Sequence, residues 1–242
     1  RLEQLRRLRR QADGDTIDLD AALREAIQRR AGQLPEGRVF QRVQRHRRHL
    51  DVLLLLDLSA STLDPLPGGP GTLLDLIREA ALLGAMTIDL IGDRSAVHGF
   101  CSDGRGEVRY TRFKDFDEAF DEPCRDRIAA MRGELSTRLG AALRHATSAF
   151  AGRRSDRRLV IVLTDGRPYD VDVHDPEYLL EDARHAVLEA RRAGVQVLGL
   201  SVDPTANDWA ERIFGARRFV ALERVDALPM ALPALYLRLS PT

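Results

Sequence analysis

Three apolar runs constrain the fold of this chain more than any other feature of its sequence. They occupy residues 52–56, 159–163 and 195–200, and the first two contain no polar residue. Strands without polar alternation are buried on both faces, as in a parallel sheet covered by helices. Stretches with helical patterning follow these runs or lie between them, at residues 72–91, 139–150 and 177–193. The alternation predicts an α/β fold with a doubly wound, mostly parallel central sheet flanked by helices.

Weaker patterns extend this prediction to both ends of the chain. Residues 96–100 and 108–113 are typical of a shorter strand pair, residues 219–222 of a last strand, and residues 226–239 of a closing helix. Near the start, residues 20–31 predict a helix that Asp18 or Asp20 caps, and residues 39–43 predict a half-buried edge strand. We therefore expect an N-terminal helix and strand extension over residues 1–49, packed on an α/β domain over residues 50–242.

Charge and composition narrow the class of partner. The 242 residues are 44% hydrophobic and 31% charged, with 37 basic and 37 acidic side chains, as in a globular protein without an overall electrostatic field. Residues 1–50 hold thirteen arginines against seven acids, which favours an acidic partner, an RNA or simply a solvated surface. Aromatic residues do not interleave with these arginines, so we expect no nucleic-acid partner.

Cysteine usage and hydropathy indicate in which cellular compartment we expect the protein. Cys101 and Cys124 are the only cysteines, too few and too isolated for a disulfide framework or a zinc site. No apolar run approaches the roughly 18 residues of a membrane span, so we expect no membrane insertion and a cytoplasmic location. The sequence starts at Arg1 rather than Met, from which we expect a longer parent protein.

Oxygen-bearing side chains follow two of the buried runs and open a helix. Asp57, Ser59 and Ser61 come directly after the first run, Asp165 follows the second, and Thr137 precedes the helix between them. The carboxyl ends of parallel strands meet at one edge of a sheet, where ligands bind. Two carboxylates and three hydroxyls are hard ligands that suit Mg²⁺, with Mn²⁺ or Ca²⁺ as substitutes. Each piece alone is equally explained by helix capping or strand-end polarity; the three together predict a metal site.

These residues resemble the metal-ion-dependent adhesion site of von Willebrand factor A domains. The resemblance rests on D57-L-S-A-S61, Thr137 and T164-D-G166, and it covers about residues 50–240. It implies that the hydroxyls contact the metal and that Asp57 and Asp165 do so directly or through water. Because the ligands are mostly neutral, the ion would accept one more oxygen, from an Asp or Glu of a client protein.

Longer stretches resemble the C-terminal domain of the CbbO and NorD proteins, among them T137-R-L-G140, L163-TDGRPYD170 and E181-DARHAVLEARRAG194. The resemblance implies a non-catalytic adaptor that works with a hexameric MoxR-type AAA+ ATPase. CbbO proteins help to reactivate inhibited Rubisco, and NorD proteins support nitric oxide reductase maturation. H174-D-P-E-Y178 favours Rubisco as the client, with nitric oxide reductase as the alternative.

Other functions and other site residues stay open. The chain lacks a P-loop, since its only lysine, Lys114, lies outside any glycine loop. The remaining alternatives are a Mg²⁺-dependent hydrolase, with Asp57 as nucleophile or the metal activating water, and a chelatase-type subunit. Three further residues have two interpretations: Arg138, Asp170 and Asp172. The simpler one is that they are solvated surface residues. The alternative is that they contact the partner protein, with Arg138 as a clamp on its carboxylate.

Overall fold

A computed structural model describes residues 3–13, 16–31, 34, 37–47, 50–66, 70–203 and 206–239. The chain divides into two compact units, residues 1–48 and residues 49–242. Residues 48 and 49, at the expected domain boundary, lie outside the described ranges. The packing of the first unit on the second stays a prediction.

Among its described residues, the first unit combines a small antiparallel sheet with one helix. Strands β1 (Glu3–Gln11), β2 (Thr16–Ile17) and β3 (Phe40–Arg47) are ordered β1-β3-β2. Helix α1 (Leu19–Arg30) begins after Asp18, whose carboxylate accepts a hydrogen bond from the amide of Ala21. The predicted helix and its cap are confirmed, whereas β1 is absent from the sequence prediction. The edge position predicted for residues 39–43 is wrong, because β3 pairs with β1 on one side and β2 on the other.

The second unit is built on a six-stranded sheet in the order β6-β5-β4-β7-β8-β9. Its strands are β4 (Leu50–Asp57), β5 (Arg94–Asp103), β6 (Glu107–Lys114), β7 (Arg157–Thr164), β8 (Val195–Ser201) and β9 (Phe219–Ala221). All neighbours run parallel except β5 and β6. The predicted doubly wound, mostly parallel sheet is therefore confirmed.

In the described part of the chain, six helices flank this sheet. They are α2 (Leu73–Ile91), α3 (Glu122–Ala129), α4 (Leu139–Ser148), α5 (Pro176–Arg192), α6 (Ala206–Phe214) and α7 (Leu228–Leu239). One apolar layer joins the sheet to α2, α3 and α7, and the other joins it to α4, α5 and α6. Every residue of the central strand β4 is buried, which explains its lack of polar alternation. Among the described residues, no helix has both the length and the apolar character that crossing a bilayer requires.

Candidate metal centre

The neighbouring parallel strands β4 and β7 deliver the first residues of the site. Leu56 pairs with Leu163, so Asp57 and Thr164 emerge side by side at the same edge of the sheet. The hydroxyl of Thr164 donates to Oδ2 of Asp57 at 3.0 Å. Sequence reasoning expects Asp57 at the end of its strand but misses the contribution of Thr164, which the pairing register of the two strands reveals.

Asp57 lies at the centre of the cluster and is fully buried. The amide of Ser59 donates to its Oδ1 at 3.1 Å, and the hydroxyl of Thr137 lies 3.1 Å from both carboxylate oxygens. Thr137 therefore directs its hydroxyl to Asp57 rather than capping α4, whose N-cap residue is Arg138. This contact joins the first ligand loop, which carries Asp57, Ser59 and Ser61, to the second, which carries Thr137. The third ligand loop carries Asp165.

The third loop is joined through the serines. The hydroxyls of Ser59 and Ser61 lie 3.0 Å apart, and the Ser61 side chain is close enough to Asp165 to lower the pKa of that carboxyl, although burial raises it overall. Ser59 is buried, Asp165 is half-buried and Ser61 is exposed. The five predicted ligands thus form one continuous cluster, which opens to solvent on the side of Ser61 and Asp165.

The segment 133–137 holds the loops in place through main-chain hydrogen bonds. The amide of Glu134 donates to the carbonyl of Leu58 at 2.8 Å, and the amide of Ala60 donates to the carbonyl of Leu135 at 2.9 Å. Leu135 has a φ of 64°, a conformation that side-chain-bearing residues adopt at a cost in energy. Strain of this kind persists only where the surroundings enforce it, and it concentrates at functional sites.

Two close carboxylates make the site electrostatically unfavourable without a cation. Burial, and then the negative charge of Asp165, raise the pKa of Asp57 well above its usual range. Burial also raises the pKa of Asp165, as do the charges of Asp64 and Asp203. A divalent cation between Asp57 and Asp165 would relieve both the repulsion and part of the desolvation.

The donor set fits a hard divalent cation. Within the described part of the chain, no cluster of three or more His, Cys, Asp and Glu side chains is arranged to hold a metal ion. Binding at this edge would therefore depend on two carboxylates and three hydroxyls, a set of oxygen donors without nitrogen or sulfur. Mg²⁺ accepts few carboxylates and keeps several waters, so this set suits it.

Arg138 and Asp170 are buried, so the expectation that they lie on the surface is wrong. The Arg138 side chain is 8% exposed; Nε donates to Asp170 at 2.7 Å, and Nη2 pairs with Asp172. Asp170 is completely buried and also accepts from the amides of Gly104 and Val171, both at 2.8 Å. Arg138 and Asp170 thus tie the second ligand loop to the third. A direct contact of these residues with a partner stays a prediction, and Asp172 is the most exposed of the three.

The fold and the cluster at its sheet edge define the class of protein. The sequence model of the von Willebrand factor type A domain matches residues 51–226, and this chain belongs to that family. Solved structures show the same fold. The PilB minor pilin from Streptococcus sanguinis superposes with a TM-score of 0.66 over 80% of this chain and 62% of the pilin, at 13% identity. The vWF domain of the pilus tip protein Mfa5 from Porphyromonas gingivalis gives a TM-score of 0.60 over 80% of this chain and 96% of that domain, at 11% identity.

Within this family, the chain is similar in sequence to curated NorD proteins and to an uncharacterized relative. Protein NorD of Brucella suis is 39% identical over 95% of this chain and 36% of its own length. An uncharacterized protein of Pseudomonas aeruginosa is 39% identical over 96% of this chain and 38% of its own length. Protein NorD of Stutzerimonas stutzeri is 35% identical over 89% of this chain and 35% of its own length. The chain spans little more than a third of the length of these relatives.

Proposed function

We propose that this domain binds Mg²⁺ through Asp57, Ser59, Ser61, Thr137 and Asp165 and uses the ion to dock an acidic residue of a client protein. The observation that carries the proposal is the convergence of all five side chains on one cluster that is buried around Asp57 and open at Ser61. Helix capping or ordinary strand-end polarity would not require three loops to meet in this way.

The residues of the site have distinct tasks in this proposal. The bound ion supplies an electrophilic position that accepts an oxygen of the client carboxylate. Asp57 and Asp165 balance the ion charge, while the neutral hydroxyls of Ser59, Ser61 and Thr137 leave it electron-poor. The amide of Ser59 and the hydroxyl of Thr164 fix the orientation of the Asp57 carboxylate. The exposed side of the cluster leaves room for the client.

The proposed role is binding rather than catalysis. The described hydrogen-bond donors to Asp57 are Ser59, Thr137 and Thr164, none of which is a general base near neutral pH. Asp-nucleophile phosphatases usually carry a second Asp two residues on, where Ser59 stands here. A Mg²⁺-dependent turnover of a generic phosphate ester, lost in EDTA and in Asp57→Ala, would instead favour the hydrolase alternative.

The choice of client follows the curated relatives. The preference for Rubisco and a CbbO-like role receives no support from the comparisons, in which the named relatives are NorD proteins. We therefore favour the NorD-like alternative, with nitric oxide reductase as the client and a hexameric MoxR-type AAA+ ATPase as the motor, in a cytoplasmic setting. The domain would act as the client-binding part of a longer adaptor.

Mn²⁺ binding followed by electron paramagnetic resonance tests the metal site in solution. Wild-type protein is expected to bind one Mn²⁺ that Mg²⁺ displaces, and Asp57→Ala is expected to lose this binding while remaining folded by circular dichroism. Asp126→Ala, on the exposed face of α3, is the matched control and should bind Mn²⁺ normally. If Asp57→Ala binds Mn²⁺ as tightly as the control, the proposed site is wrong.

A further inference from the structure

Large apolar side chains are exposed on the loops that carry the proposed ligands. Leu63 is 48% exposed, Tyr169 65% and Val171 56%. Leu63 follows Ser61 by two residues, and Tyr169 and Val171 follow Asp165 on the third ligand loop. Scattered exposed apolar residues are ordinary on a protein surface. Three of them lie on the two loops that supply four of the five ligands, and exposed apolar surface beside such a site is typical of a binding surface.

This apolar rim, defined as Leu63, Tyr169 and Val171, is tied to the metal ligands through the backbone. The carbonyl of Tyr169 accepts from the amide of Thr137 at 2.8 Å, and the amide of Val171 donates to Asp170 at 2.8 Å. Leu63 ends a short 3-10 helix, Ala60–Leu63, in which the hydroxyl of Thr62 donates to the carbonyl of Ser59 at 2.7 Å. The backbone of the rim is thus held in a fixed relation to the ligands, which limits the ordering cost of binding.

An apolar rim suits a site where a carboxylate must replace water on a metal ion. Electrostatic attraction strengthens when water is excluded, because the local dielectric constant falls. In protein interfaces, residues that contribute little binding energy themselves surround an energetically important contact and exclude solvent from it. The rim can seal the contact only if the partner covers it with apolar surface of its own.

We infer that the partner segment presents a large apolar side chain directly beside the acidic residue that meets the metal. The inference rests on the proposed metal-mediated docking and specifies the sequence that such docking selects. The occupant is a segment of a second protein with an Asp or Glu flanked by Leu, Ile, Phe, Tyr or Trp. An acidic residue within a purely polar segment would leave the rim exposed and would bind more weakly.

A random peptide library displayed on phage tests the inference without knowledge of the natural client. The library is selected on the immobilised domain in Mg²⁺, and bound phage are eluted with EDTA. The expected result is enrichment of peptides with an acidic residue next to a large apolar one. Enriched acidic residues without apolar neighbours would overturn the inference and leave the proposed function intact. If no acidic peptide is eluted from protein that binds Mn²⁺, the proposed function fails as well.

A rim variant links the selected motif to these three side chains. The triple variant Leu63→Ser, Tyr169→Ser, Val171→Ser keeps the backbone contacts and is expected to bind Mn²⁺ like the wild type, but to bind an enriched peptide about tenfold more weakly. The matched control is Leu90→Ser, Met230→Ser, Leu237→Ser, which removes apolar side chains exposed on α2 and α7. Equal peptide affinity of the rim variant and this control would overturn the inference.

Discussion

The hydroxyl of Thr137 lies 3.1 Å from both carboxylate oxygens of Asp57, a residue 80 positions away in the chain. This contact joins the loop after β4 to the loop before α4, and both residues are buried. A hydroxyl so placed serves as a metal ligand only if the loops keep their relative positions.

Thr137 is expected to contribute its hydroxyl rather than its bulk. Thr137→Ala should weaken Mn²⁺ binding by at least ~10-fold, the lower range seen when even an outer-shell partner of a metal is removed. Thr137→Ser keeps the hydroxyl and should bind within a few fold of the wild type. A titration of Mn²⁺ by electron paramagnetic resonance compares the two. Equal losses in both variants would show that the methyl group, and therefore packing, is what matters.

Arg138 and Asp170 are expected to act as a buried ion pair. Arg138→Met leaves the buried Asp170 carboxylate without its cation and should lower the free energy of unfolding by about 3–5 kcal/mol. The double variant Arg138→Met, Asp170→Asn removes the orphaned charge but keeps an acceptor for the amides of Gly104 and Val171. We expect it to be more stable than Arg138→Met alone in urea denaturation. Additive destabilisation would mean that the two residues act independently.

Gly133 is expected to set the position of the first ligand loop. A methyl group at this glycine would lie 2.4 Å from the hydroxyl of Thr62 and 3.1 Å from the carbonyl of Ser59. Gly133→Ala should therefore displace Ser59, reduce Mn²⁺ affinity several-fold and cost about 1–3 kcal/mol of stability. Gly106→Ala is the control, because nothing lies within 4 Å of the added methyl. Unchanged Mn²⁺ affinity in Gly133→Ala would separate this packing from the metal site.

His98 is expected to make stability depend on pH. Its ring is buried against Tyr110 and Asp115, and burial lowers its pKa from 6.5 to about 4. Asp115 opposes this shift, while Arg112 and His145 reinforce it. Between these two pKa values the unfolded chain binds the proton and the folded protein does not. Stability is therefore fully present above pH 6.5 and falls as the pH is lowered towards 4.

The His98→Gln variant isolates this effect. Between pH 7 and pH 5, wild type should lose about 1–2 kcal/mol more of its unfolding free energy than His98→Gln. His185→Gln, at an exposed position on α5 that does not contribute to the His98 shift, should retain the wild-type dependence. Parallel stability curves for wild type and His98→Gln would contradict the assignment.

The parts of the fold that the sequence predicts are those whose burial leaves a local signature. The apolar runs of β4, β7 and β8 indicate a covered parallel sheet, because strands buried on both faces have no polar positions. Strand β1 carries no such signature. Its sequence, EQLRRLRRQ, has no alternating apolar face, and the pairing with β3 makes it a strand. Helix α3 buries only Cys124 and Ile128, too little for a periodic pattern.

The candidate site likewise has a part that the sequence predicts and a part that it does not predict. The five proposed ligands stand in short motifs at strand ends and a helix start, so their convergence can be expected from the topology of a parallel sheet. The contacts of Thr164 with Asp57 and of Arg138 with Asp170 join residues 107 and 32 positions apart, respectively. Such pairings depend on strand register and loop path, which no local sequence pattern encodes.

Diffraction from crystals grown with Mn²⁺, recorded at the manganese absorption edge, tests the central claim most directly. The account predicts a single strong anomalous peak at the carboxyl-terminal edge of the sheet. That peak should lie within coordination distance of Ser59 and Ser61, with Asp57, Thr137 and Asp165 bound directly or through water. A protein without a peak at saturating Mn²⁺, or with its peak away from these five side chains, would contradict the account.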